Sequence, residues 1–280
     1  MIPATFDYEL AETPEHAIEL LGSRMDAKLL AGGHSLLPAM RLRVARPSLL
    51  VDVGRLSELS YVRDDGEHIA IGALTRHQDV AEDALLREHC SIVSRVAGQV
   101  GDPQVRHRGT IGGSLAHGDP ASDLPSAILA LEAELVIRGP GGDRTVPASG
   151  FFTGVFQTAC TPSEMLVEVR VPKLGQSTGS SYVKFARRAQ DWATVAVAAI
   201  VERTNGSVGG ARIALTNMGA TPLRATEAED ALAGGAALEE AAALVGNGTE
   251  PPSDHAASAD FRRHLATVLG RRALEEALAA

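Results

Sequence analysis

Two glycine pairs constrain this chain more than anything else in it. The stretch AGGHSLLPAMRL runs from Ala31 to Leu42, straight after a short apolar run. The stretch GTIGGSLAHGDPASD runs from Gly109 to Asp123 and repeats the arrangement, a glycine pair with a serine close behind. A strand that ends in a Gly-Gly turn lets backbone N–H groups come close to anionic oxygens. Neither stretch has the Gly-x-Gly-x-x-Gly spacing of a Rossmann dinucleotide site or the Gly-x4-Gly-Lys-Ser/Thr spacing of a P-loop. One glycine pair is an ordinary turn. Two pairs, each with a hydroxyl donor nearby, point to one shared ligand.

The remaining composition narrows the class. A chain of 280 residues, 45% of them apolar, is long enough for two domains with real cores. A net charge of −9 argues against a nucleic-acid binder. Cys90 and Cys160 are too few and too far apart for a disulfide framework, a zinc site or an iron–sulfur cluster. The start MIPATFDYELAE has no basic segment and no apolar core of a secretion signal. The longest apolar run, Ala193 to Val201, is too short to span a bilayer. A cytoplasmic protein without a membrane span is expected. Lysine is rare: Lys28, Lys173 and Lys184 stand among 26 cationic residues, so each draws notice.

The pattern along the chain predicts an α+β protein. Thr13 and Pro14 mark a helix start. Strands are predicted in AKLLAGG, in 48–54 and in 68–74, and helix from Val80 to Gln99 with a break near Cys90. A helix running into a strand spans 124–139, and 163–172 closes as a strand on Pro172. Residues 1–172 thus form one domain of two α/β subdomains, about 1–55 and 56–172, and 173–180 are a polar linker. Residues 181–280 form a smaller domain: a three-stranded antiparallel sheet with a hairpin at Asn205-Gly206, then two or three alanine-rich helices.

After the second glycine pair come His117, Asp119 and Asp123. They allow a metal set, the weaker reading, because Asp119-Pro120 is also an ordinary turn. Asp123 allows a carboxylate that accepts from ribose hydroxyls.

The two stretches AGGHSLLPAMRL and GDPQVRHRGTIGGSLAHGDPASD, with YVKFARRAQDWATVAVAA at 182–199, closely resemble the FAD-binding medium subunit of molybdenum hydroxylases. The carbon monoxide dehydrogenase branch fits best. The resemblance implies a fold of the vanillyl-alcohol-oxidase type with FAD across the two subdomains. Ala31, Gly32, Gly33, His34, Ser35 and Leu36, with Thr110, Ile111, Gly112, Gly113 and Ser114, would wrap its pyrophosphate. Asp123 would meet the ribose or adenine side, Leu166 would pack near the cofactor, and Lys184 would reach the flavin ring. Trp192 stands where an aromatic beside the isoalloxazine is plausible, with a core tryptophan as the alternative. Position 114 is serine where family members often carry Asn or Asp.

By that resemblance no catalytic residue and no metal ligand is expected in this chain. It implies an electron-transfer subunit that takes electrons from a two-iron two-sulfur small subunit and hands them to an acceptor. A large subunit would hold molybdopterin and select the substrate, in a dimer of heterotrimers. Carbon monoxide is the first substrate expected, nitrogen heterocycles or aldehydes the next. A self-contained flavin oxidase and a non-catalytic binding protein are the competing readings. The first would need a longer C-terminal domain, and the second has no use for two close backbone approaches.

Overall fold

The computed structural model describes residues 2–204 and 207–280. A parallel three-stranded sheet comes first, with Leu49–Asp52 between Asp7–Leu10 and Lys28–Leu30. Parallel neighbours need a crossover, and the helix Pro14–Ser23 supplies one. It starts as the sequence indicates: Thr13 Oγ1 accepts from the His16 N–H at 3.1 Å, with Pro14 at the first helical position. Ala17, Ile18 and Leu21 of the helix share a core with Leu49 and Val51.

A five-stranded antiparallel sheet follows, in the order Val62–Asp65, His68–Gly72, Met165–Pro172, Glu134–Gly139, Gly142–Pro147. Strand alternation sorts its side chains between two cores. Leu135 and Ile137 join Ile69, Ile71 and Val169 under a layer of helices, whereas Val136, Met165 and Val167 join the core of the first sheet. The helical stretch from Val80 to Gln99 breaks twice, not once. The helices are His77–Glu82, Ala84–His89 and Ser91–Gly98. The extra break falls at Asp83, whose carboxylate caps the Leu86 N–H at 3.0 Å, a position aspartate favours over a helix interior. Cys90 and Cys160 are unpaired. Burial pushes their thiols up to about 12 and about 11, which makes both poor nucleophiles.

The last unit is a four-stranded antiparallel sheet: Thr178–Phe185, Val195–Thr204, Ser207–Thr216 and the short Leu223–Arg224. The fourth strand adds to the three read from the sequence. The first begins inside the stretch read as a linker, because its polar residues are satisfied there: Ser181 is buried and donates to Glu276 at 2.7 Å. The Asn205-Gly206 turn lies outside the described residues. Helices Thr226–Ala233, Leu238–Leu244 and Ala259–Ala279 complete the unit. The strand Val195–Thr204 is buried on both faces. Val195, Val197 and Val201 pack with Leu265 and Leu269, while Ala196, Ala198 and Ile200 enter the core of the preceding unit with Ile128. No described helix is long and apolar enough to cross a membrane.

Candidate functional site

The two glycine motifs touch each other. A Cβ at Gly32 would lie 2.2 Å from the Arg108 carbonyl oxygen and 2.8 Å from the Gly109 Cα. Only a residue without a side chain lets these two backbones meet. The loop of the second pair therefore sits directly against the first. Gly33 adds a left-handed φ of +74° that turns the chain into the helix Leu36–Arg41.

The first loop is rich in unused donors. Among the described residues, the backbone N–H groups of Gly32, Gly33, His34, Ser35 and Leu36 reach no protein acceptor. The Ser35 side chain makes no capping hydrogen bond, and the His34 ring folds back on the Gly32 carbonyl at 2.9 Å. His34 and Ser35 are exposed. A run of free N–H groups around a left-handed glycine is a concave nest for an anion with several oxygens. A pyrophosphate fits that donor set.

The second loop is different. The N–H groups of Ile111 and Gly112 donate to Thr75 O at 3.0 Å and Ala73 O at 2.8 Å, and Gly113 donates to Thr110 Oγ1 at 3.1 Å. The start of the helix Ile111–His117 is thus pinned to the end of the antiparallel sheet. What it presents at the surface is the half-exposed Ser114 side chain and the exposed backbone of Gly113, while Thr110 is buried beneath them. Ile111 and Leu166 are core side chains, so either can touch a ligand only through its backbone or its edge.

Asp123 and Lys184 come together from different units. Lys184 Nζ donates to Asp123 Oδ2 at 2.8 Å and to Gln99 O at 3.4 Å. The Tyr182 hydroxyl donates to Asp123 Oδ1 at 2.7 Å. All three are buried; burial pushes the Asp123 carboxyl up against the pull of Lys184, and it pushes the Tyr182 phenol well up. His117 packs against Phe156 with the rings tilted by 48° and their centres 5.0 Å apart. Trp192 is 65% exposed, in the loop between two strands of the last sheet, so the core alternative does not hold.

Three neighbours of the site were not singled out in the sequence. Arg76 donates to Arg108 O and so clamps the second loop. His77 is buried beside Gly109, its Nδ1 without a partner among the described residues. Tyr182 shares a strand face with Lys184, and the two-residue spacing between them is its signal in the sequence. Two cavities, of about 290 and about 650 Å³, lie beside the helix Pro14–Ser23, and no glycine-motif residue lines them.

A sheet pair joined by touching glycine loops, followed by a sheet-and-helix unit that sends a lysine back to the first, defines a class. Residues 4–174 match the family of FAD binding domains in molybdopterin dehydrogenases, and residues 180–277 match the C-terminal domain of carbon monoxide dehydrogenase flavoproteins. The chain belongs to the FAD-binding family of molybdopterin dehydrogenases. It is similar to the carbon monoxide dehydrogenase medium chain of Hydrogenophaga pseudoflava, with 41% identity covering 100% of this chain and 99% of that one. It also resembles the 6-hydroxypseudooxynicotine dehydrogenase complex subunit alpha of Paenarthrobacter nicotinovorans, with 38% identity over 99% of this chain and 96% of that one. A chain of the solved carbon monoxide dehydrogenase of H. pseudoflava superposes with a TM-score of 0.97 at 43% identity, covering 100% of this chain and 99% of that one. The chain is a flavoprotein subunit of the molybdenum hydroxylase type, and the carbon monoxide dehydrogenase kind matches it over its whole length.

Proposed function

We propose that this chain is the electron exit of a three-chain carbon monoxide dehydrogenase, working in the cytoplasm as part of a dimer of heterotrimers. The observation that carries the cofactor site is the run of N–H groups from Gly32 to Leu36 that are unpaired among the described residues, set against the Arg108–Gly109 backbone. The whole-length likeness to a carbon monoxide dehydrogenase medium chain supports the kind of enzyme. In this reading Ala31–Leu36 hold the pyrophosphate with those N–H groups and the Ser35 hydroxyl. Thr110 and Ser114 add hydroxyl donors, while Ile111, Gly112 and Gly113 shape the wall. Lys184 stands at the flavin end, and Asp123 goes with it and not to the ribose or adenine side that the resemblance implies, because its two buried carboxylate oxygens already accept from Tyr182 and Lys184. Leu166 backs the cofactor, and exposed Trp192 shields the ring. Bound FAD supplies the redox chemistry, taking electrons singly and passing them on in pairs. The protein's part is to bind, orient and tune. Two-iron two-sulfur clusters and molybdopterin belong to partner chains.

A second reading, the FAD subunit of a nitrogen-heterocycle or aldehyde hydroxylase, is favoured by the likeness to the 6-hydroxypseudooxynicotine dehydrogenase subunit at only slightly lower identity. The test of the cofactor assignment is release and reconstitution. Heat denaturation of the chain purified with its partners should free a yellow cofactor that runs as FAD, one per chain. A colourless protein that takes up no FAD beside its partners would overturn the assignment.

A further inference from the structure

The Asp123–Lys184 pair has a third member whose place is not explained by packing alone. Asp123 stands at the start of the helix Leu124–Ala130, where a carboxylate ordinarily caps the helix N–H groups, yet it makes no capping bond. Both its oxygens point instead to the strand Thr178–Phe185 of the other unit, Oδ1 to Tyr182 and Oδ2 to Lys184. Tyr182 and Lys184 alternate onto one face of that strand and pair across the sheet with Ala198 and Ala196, which are small. Beside the phenol, the Ser126 and Thr216 hydroxyls bond each other at 2.6 Å, fully buried. Lys184 has three N–H bonds. Asp123 and Gln99 O accept two of them, and the third has no acceptor among the described residues.

We propose that Tyr182 is a positioning residue that holds Lys184 toward the flavin by occupying one oxygen of Asp123. This rests on the reading that Lys184 faces the cofactor. A carboxylate free of other donors offers an ammonium either oxygen or the space between them. With the phenol drawing on Oδ1 and offsetting part of its charge, Oδ2 is the stronger acceptor, the ammonium stays on it, and its remaining N–H is left for a ligand. The Tyr182 hydroxyl thereby sets how much of the lysine's charge reaches electrons arriving on the cofactor. Buried polar networks of this kind reward full satisfaction and punish the loss of one member.

The test uses the intact complex and reads the two-electron midpoint potential of its FAD in wild type, Tyr182→Phe, Lys184→Met and the double variant, with thermal melting alongside. Tyr182→Phe keeps the buried ring. It should retain FAD and lower its preference for the reduced cofactor about tenfold, a shift of roughly 30 mV to lower potential. The double variant should sit where Lys184→Met alone sits, because the phenol acts through the lysine. A Tyr182→Phe potential equal to wild type, with Lys184→Met shifted, overturns this role alone. Shifts that simply add overturn it too. A Lys184→Met potential equal to wild type overturns the placement of Lys184 at the flavin, and this role with it.

Discussion

Gly32 and Gly112 belong to twin motifs but answer to different neighbours. Gly32 lies between two loops at the surface of the candidate site, against Arg108 O. Gly112 lies in the core, where a Cβ would sit 2.4 Å from the Ala73 Cβ. The expected outcomes differ accordingly. Gly32→Ala forces the loops apart and should weaken FAD binding at least about tenfold, about 1.4 kcal/mol, seen as a lower flavin-to-protein ratio in the purified complex. Gly112→Val overpacks the core and should cost about 3 kcal/mol of stability with or without flavin. Flavin content and urea midpoints, measured on each variant, separate the two. Equal flavin content in Gly32→Ala and wild type would make that glycine a turn and nothing more. At the same scale, burial first, then Arg106 and Arg76, hold the His77 imidazole down to about 4 from 6.5. The unfolded chain therefore takes up this proton at a higher pH than the folded one. The stability is present above pH 6.5 and is lost as pH falls from 6.5 to about 4, by roughly 3 kcal/mol at about 1.36 kcal/mol per pH unit. His77→Gln should flatten the melting-temperature curve over that window, and an unchanged slope would count against His77 as its source.

At the scale of elements, the helix Ala259–Ala279 is anchored by Arg262, 1% exposed, which donates to Thr194 O and grips Asp254 with two bonds of 3.0 and 2.9 Å. The pair is asymmetric because Asp254 is 41% exposed on its side chain. Asp254→Ala strands a buried guanidinium and should cost about 3 kcal/mol, whereas Arg262→Met leaves a carboxylate that water can reach and should cost about 1 kcal/mol. Urea denaturation of both variants checks the order, and the reverse order would contradict it. Most elements of this kind were legible because their signals are local: the Thr13 cap, the break at Cys90, the alternation from His68 to Leu74. The strand starting at Thr178 was not, because Ser180 and Ser181 look like linker until Glu276 arrives from a distant helix. Leu223–Arg224 was missed because two residues carry no period, and its pairing with Ala214 and Leu215 is entirely tertiary. At the candidate site, both loops stand out in the sequence by composition and resemblance. It could not reveal that Gly32 touches Arg108, or that the second loop spends its N–H groups on Ala73 and Thr75.

At the scale of the molecule, the last sheet is not an appendage. Ala196, Ala198 and Ile200 enter the core of the preceding unit, and Lys184 and Tyr182 reach Asp123 across the same boundary. The candidate flavin site thus draws residues from both matched regions of the chain, and relatives match the chain from end to end. In the proposed function the cofactor receives its electrons from partner chains and not from a substrate bound here. Stopped-flow measurement of the flavin absorbance tests it most directly, with the chain loaded with FAD alone and then within the three-chain complex, each mixed anaerobically with carbon monoxide and, in parallel, with nitrogen heterocycles and aldehydes. The account predicts bleaching in the complex with one of these reductants and none in the lone chain. Bleaching of the lone chain at the rate of the complex would contradict it and favour a self-contained oxidase.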